Sequence, residues 1–179
     1  VLLKNENNVL PLQEGAKISL FGTSQFTNNY VTTGQGSGYV APNTNDSLRD
    51  CLENNGVVVN PTLYNSYEIV GYNYKYSMFN TFPNGDFNVV EYKVNEAPIS
   101  KVEAVADSTI SEYDDSAIYV ISRLGSENGD TNFSAEGHVE INYMDLTQEE
   151  IGVLNKLTKY KNEGKLKSIV LVLNTCNAM

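Results

Sequence analysis

An α/β fold, a mostly parallel sheet sandwiched by helices, is what this sequence predicts, and three observations carry the prediction. Short β-branched and aromatic runs (Lys17 to Phe21, Ala117 to Ile121, Ser168 to Leu173) are separated by stretches with helical spacing of apolar residues, which is the alternation of a parallel sheet with helical crossovers. The run Asp145-Leu146-Thr147-Gln148-Glu149-Glu150 carries a capping box, Thr147 with Glu150, ahead of an apolar stripe. The last run, Ile169 to Leu173, is almost continuously apolar, as in a strand buried on both faces.

Length and charge bound the function. At 179 residues and 19.8 kDa, with 41% hydrophobic residues, the chain suits one domain with its own core. A net charge of −10 disfavours nucleic acid and anionic membrane surfaces as partners. No apolar run approaches the roughly 18 residues of a membrane span. Val1-Leu2-Leu3-Lys4-Asn5 lacks a signal-peptide layout, so the expectation is a soluble chain or a piece of a larger one. Cys51 and Cys176 have no metal-type or redox-type spacing and read as core thiols. With His138 the only histidine, neither a histidine metal site nor a Ser-His-Asp triad is expected. The 12 tyrosines suit a β-rich surface or a sugar platform, and composition does not separate the two.

Taken in order, residues 1–16 form an apolar-polar-apolar lead-in, and Lys17 to Gly22 is the first core strand. The long segment from Thr23 to Pro42 contains Gly34-Gln35-Gly36-Ser37-Gly38. It lacks the G-x-G-x-x-G join of strand to helix and the Lys-Ser/Thr of a P-loop, so close backbone approach to a ligand fits at least as well as a phosphate cradle. Thr44 or Asn45 is the expected cap of a helix through Asn55, with Leu48, Cys51 and Leu52 on one face and Gly56 as its stop. Val57 to Val59 closes a β-α-β unit, with Pro61 as terminator. The aromatic-rich residues 64–112 read as an insertion lying against the sheet or as a mobile arm, with a turn at Pro83 to Asp86, a strand at Phe87 to Tyr92 and a short helix within Ile99 to Ile110. The helix after Thr147 is expected to reach Tyr160 or Lys161, with Ile151, Leu154 and Leu157 facing the core.

The chemistry concentrates in Ser122-Arg123-Leu124-Gly125-Ser126-Glu127-Asn128-Gly129-Asp130, which leaves the carboxyl end of the strand Ala117 to Ile121. That end is where open α/β sheets place ligands. Gly125 and Gly129 bracket the acidic pair and free the backbone to aim a carboxylate outward.

The chain resembles the C-terminal α/β sandwich domain of glycoside hydrolase family 3, the β-glucosidase and β-xylosidase type. The matching residues are Val1-Leu2-Leu3-Lys4-Asn5 with Leu10-Pro11-Leu12, Gly36-Ser37-Gly38, Val120-Ile121-Ser122-Arg123 with Glu127-Asn128-Gly129-Asp130, and Val170 to Asn174. Residues 64–112 carry no match. The resemblance implies that residues 1–179 are such a domain, truncated at both ends, and that the substrate is a β-linked glycoside or oligosaccharide. It implies Glu127 as the acid/base of a retaining hydrolase, with Gly36, Ser37 and Asp130 binding substrate. The attacking carboxylate would come from an N-terminal TIM-barrel domain, and neither metal nor cofactor is called for. Asn128 stands where the family commonly has Gly, and Thr131 where it commonly has Arg, which bears on substrate contacts. A non-catalytic carbohydrate-binding or docking module, and a flavodoxin-like nucleotide domain using Gly34 to Gly38, are the rival readings.

Overall fold

The computed structural model describes residues 1–26, 46–71, 73–74, 77–81, 89–93, 96–123 and 145–175. Its main sheet is parallel and four-stranded. The strands are β1 (Lys17–Phe21), β2 (Val58–Val59), β5 (Ser116–Arg123) and β6 (Ile169–Thr175), in the order β2-β1-β5-β6. Strands β3 (Ser77–Thr81) and β4 (Val89–Lys93) pair antiparallel in a sheet of their own. The alternation seen in the sequence thus yields the α/β fold expected of it.

The register explains the two cores. Ser19 pairs with Ala117 and Phe21 with Tyr119, so odd-numbered residues of β1 and β5 share a face. Phe21, Ala117, Tyr119 and Ile121 meet Leu63 and Tyr67 of α2 (Pro61–Gly71), Ala106 of α3 (Glu103–Thr109), and Val153, Leu157 and Tyr160 of α4 (Gln148–Asn162). On the other face Ile18, Leu20 and Ile118 pack with Val57 and Val59, against Leu48 and Leu52 of α1 (Leu48–Asn54). Helices cover both faces, and β5 is buried along all eight of its residues.

Helix ends follow local rules. The cap of α1 is Ser47, two to three residues beyond the expected Thr44 or Asn45: its Oγ accepts from Asp50 N at 3.0 Å and its N–H donates to Asp50 Oδ2 at 3.1 Å. This is the same reciprocal box that starts α4. Helix α2 is a correction, because Pro61 opens it instead of ending β2. Proline at the first helical position loses no intrahelical bond, and Asn60 Oδ1 accepts from Leu63 N at 3.1 Å as its cap.

Of residues 64–112, α2 and α3 are built into the main core through Tyr67, Val102, Ala106 and Ile110, while β3 and β4 stand outside the main sheet. On α4 the inward stripe is Glu150, Val153, Leu157 and Tyr160, one position away from the expected Ile151; Leu154 is only partly buried. The reason is the inward-pointing Glu150, which sets the rotation of the helix. Lys156 seals α4 to α3, with Nζ 2.7 Å from Glu103 and 2.8 Å from Asp107, and Tyr160 donates to Asp107 at 2.8 Å.

Two further expectations are corrected. Strand β6 is an edge among the described strands, and Leu171 and Leu173 are 46% and 40% exposed instead of buried on both faces. Cys51 is exposed on the outer side of α1, not a core thiol, and Cys176 lies outside the described residues.

At the amino ends of the strands, Asp115 Oδ2 accepts from Lys17 N at 2.8 Å, and Lys167 Nζ reaches Asp114 at 3.0 Å and Asp115 at 2.7 Å. Lys167, ahead of the Lys17 amide, holds the Asp115 carboxyl below its ordinary range.

Candidate functional site

The carboxyl ends of β1, β5 and β6 form one edge of the sheet, and the two stretches that sequence marks as functional depart from it. Residues 27–45, with Gly36 and Ser37, follow Phe26; residues 124–144, with Glu127 and Asp130, follow Arg123. All four predicted site residues, and His138, lie outside the described residues. What the structure gives is the ground from which those stretches leave and to which they return.

Under the β5 end that ground is Arg123. An arginine at the end of a strand whose residues are all buried must satisfy its guanidinium inside the protein. It does so with charge-assisted bonds: Nη1 donates to Glu150 Oε1 at 2.7 Å and Nη2 to Glu150 Oε2 at 2.8 Å, the bidentate geometry that suits a carboxylate. Arg123 is fully buried and Glu150 is 2% exposed. Nη2 also donates to the Asp145 carbonyl at 2.8 Å, and Nη1 to the Ser122 carbonyl at 2.9 Å.

Arg123 and Asp145 are the residues that flank 124–144. One side chain therefore ties together both ends of the stretch that carries Glu127 and Asp130. Glu150 has a second function, since its Oε2 accepts from Thr147 N at 2.8 Å and so caps α4 with the carboxylate that binds the guanidinium. Beside it, Ser122 Oγ donates to Asn174 Oδ1 at 2.9 Å and links the ends of β5 and β6.

Under the β1 end the ground is Glu96. Thr23 N donates to both of its oxygens, at 3.2 and 3.3 Å, Ala97 N donates to Oε1 at 2.9 Å, and Tyr119 Oη donates to Oε2 at 3.3 Å. Burial pushes the Glu96 carboxyl up to about 8, against the opposite pull of the Thr23 and Ala97 amides. Burial also pushes the phenols of Tyr119 and Tyr67 up, aided by the neighbouring charge of Glu96.

The backbone at this corner passes through Gly22, at φ 90° and ψ 151°, a region essentially reserved for glycine. A Cβ there would lie 2.6 Å from Tyr119 Cε2 and 3.0 Å from Glu96 Oε2. Glycine is required both by conformation and by space.

Sequence reasoning did not single out Arg123, Glu150 or Glu96 for these parts. The capping box marked Glu150, but only the fold turns its carboxylate toward Arg123. Nothing local marks Glu96. Among the described residues there is no group of three or more His, Cys, Asp or Glu able to hold a metal, and no helix is long and apolar enough to cross a membrane.

A parallel four-stranded sheet with helices on both faces, as the described residues show it, defines an α/β domain. The Glycosyl hydrolase family 3 C-terminal domain matches residues 1–179, and the chain belongs to that family. It is 26% identical over 180 residues to β-glucosidase A of Butyrivibrio fibrisolvens, a match that covers 96% of this chain and 19% of that protein. Among solved structures it is similar to a β-glucosidase from Paenibacillus barengoltzii, with TM-score 0.73 and 25% identity, over 100% of this chain and 17% of that one. It is also similar to β-glucosidase 3B from Thermotoga neapolitana solved with glycerol, with TM-score 0.68 and 25% identity, over 97% of this chain and 22% of that one. The chain thus spans about a fifth of the length of these relatives.

Proposed function

We propose that residues 1–179 act as the domain that completes a retaining β-glycosidase site, with Glu127 as its acid/base. The observation that carries this reading is the Arg123 tie: a fully buried guanidinium is committed to both flanks of 124–144, the stretch that holds Glu127 and Asp130. Fixing both flanks is what a site needs if a carboxyl group is to be presented reproducibly to a substrate. The relatives support the chemistry, since those named above are β-glucosidases.

In this reading the substrate is a β-linked glycoside or oligosaccharide. Glu127 protonates the departing glycosidic oxygen and then, as carboxylate, takes a proton from the water that attacks the glycosyl intermediate. The attacking carboxylate comes from an N-terminal TIM-barrel domain of the same polypeptide, and the two carboxyl groups of such a pair stand about 5–5.5 Å apart. Gly36 and Ser37, from the stretch after β1, and Asp130 contact the sugar. Within residues 64–112, the β3–β4 hairpin is the part that reads as an insertion.

The test is leaving-group dependence in the full-length polypeptide. Glu127→Ala is expected to slow hydrolysis of alkyl β-glucosides by about a hundredfold or more, and of glycosides with acidic phenol leaving groups far less. Equal slowing across leaving groups would remove Glu127 from the acid/base role. Sugar binding by this chain that survives Glu127→Ala, with no loss of hydrolysis in the full-length protein, would favour a binding module instead.

A further inference from the structure

The outer side of β6 is built like the interior of a sheet. Five successive apolar residues, Ile169 to Leu173, supply both of its faces, and Ile169–Thr175 contains no charged residue and no proline. Natural edge strands are kept short, or carry such residues, so that they do not recruit a further strand. The opposite edge of the described sheet follows that rule, since β2 has two residues and Pro61 comes one position after it ends. Strand β6 does not.

Register fixes which groups of β6 turn outward. Ala117 N donates to the Ser168 carbonyl at 2.9 Å, and Ala117 is paired with Ile169. In a parallel ladder this aims the backbone N–H and C=O of the even-numbered residues of β6 at β5, and those of Ile169, Leu171 and Leu173 away from it. The side chains of Leu171 and Leu173 share a face with their partners Tyr119 and Ile121, the face that α4 covers, yet both leucines stay exposed. The same two residues therefore present outward backbone groups and an exposed apolar surface.

The handedness of crossovers determines what fits there, because parallel crossovers are right-handed. Outward from β1 to β2, α1 packs on the face of Ile18, Leu20 and Ile118; outward in the other direction, from β5 to β6, α4 packs on the opposite face. One further step beyond β6 puts its crossover helix on the face of α4, which is where Leu171 and Leu173 point. We infer that the outer edge of β6, with Leu171 and Leu173, is the docking surface for a further strand parallel to β6 and for its crossover helix, both supplied by the polypeptide that follows Met179 in the full-length protein. The relatives are long enough to hold such a unit, since this chain covers 17% and 22% of the two solved ones named above. A second copy of the chain fits less well: about a twofold axis it pairs its own β6 antiparallel and brings no new helix to the leucines. The inference does not depend on the role of Glu127.

Two measurements on the full-length polypeptide test it. The first is residue-resolved hydrogen exchange of the wild type. The outward amides of Leu171 and Leu173 are expected to exchange about 100-fold or more slowly than unpaired amides, as the inward amides of Val170 and Val172 do. Fast exchange at Leu171 and Leu173 beside protected Val170 and Val172 makes β6 a true edge and overturns the inference. Protection that disappears on dilution to nanomolar concentration assigns the edge to a second copy and overturns it equally. The second measurement replaces Leu173 by the photoreactive p-benzoylphenylalanine and maps the cross-linked peptides after irradiation. Adducts within one molecule to peptides that follow Met179 are the expected result. Adducts to residues 1–179, to polypeptide that precedes them, or to a second molecule, and a probe that forms no adduct, each refute the assigned occupant.

Discussion

Replacing Arg123 by Met removes a charge and keeps an aliphatic stem. Among the described residues the guanidinium donates two hydrogen bonds to Glu150 and one each to the Asp145 and Ser122 carbonyls. Without it Glu150 remains 2% exposed in its present setting, with the Thr147 amide against its carboxylate but no countercharge there. Breaking a buried pair by deleting one partner costs about 3–5 kcal/mol, a large share of the 5–15 kcal/mol that holds a typical domain together. With a urea slope of about 2 kcal/mol/M, the midpoint falls by about 2 M.

The double variant Arg123→Met/Glu150→Leu removes both charges and is expected to recover most of that loss, short of about 1 kcal/mol for the lost half of the capping box. Urea unfolding of the wild type, both single variants and the double variant, followed by circular dichroism, closes the cycle. Losses that simply add in the double variant, within about 0.5 kcal/mol, would refute the claim that the pair acts as one unit. Activity separates the two functions of the pair. The double variant is stable but leaves the Asp145 carbonyl untied, so hydrolysis in the full-length polypeptide should stay depressed even where folding is restored.

Two smaller perturbations test the corners of the site. Gly22→Ala places a methyl 2.6 Å from the Tyr119 ring in a glycine-only conformation and should cost about 3 kcal/mol or more, whereas Gly15→Ala, at φ 79° with open space around it, should cost only about 1–2 kcal/mol; equal losses in thermal or urea unfolding would mean that the close approach at Gly22 is relaxed without cost. Thr147→Ala removes the hydroxyl that accepts from Glu150 N at 3.2 Å and should lower stability by about 1 kcal/mol without altering α4 content by circular dichroism.

Local grammar made some of this fold readable. Thr147 and Glu150 announce α4 because a capping box is a short-range pattern, and Gly56 and Gly164, at φ 79° and 70°, follow helices as glycine does. Strands β1 and β5 were visible because they are central, and burial on both sides leaves an apolar run. The misreadings have equally physical causes. A proline after a short apolar run can close a strand or open a helix, and at Pro61 the Asn60 cap decides for the helix only once Leu63 N is in place. Strand β6 has the composition of a central strand and the exposure of an edge, which composition alone does not encode.

For the site, the acidic and glycine-rich stretches were legible as motifs, while their supports were not. Arg123 meets Glu150 across 27 positions and Glu96 meets Thr23 across 73, and contacts of that range exist only after the sheet has assembled. A carboxylate that is buried by distant elements looks, in sequence, like any surface glutamate.

The two ends of the sheet differ in their sensitivity to ionic strength. Lys167 is 63% exposed and its partners Asp114 and Asp115 are 29% and 37% exposed, so this amino-end cluster lies within reach of counterions, whose screening length is about 8 Å in physiological salt and about 3 Å at 1 M. The Arg123–Glu150 pair at the carboxyl end is shut away from them. Concentrated salt therefore weakens the Lys167 contacts to Asp114 and Asp115 at the strand starts while leaving the Arg123–Glu150 pair in place. Salt thereby becomes a dial that acts on the exposed ion pairs at the amino end of the sheet and leaves the buried tie at its carboxyl end untouched.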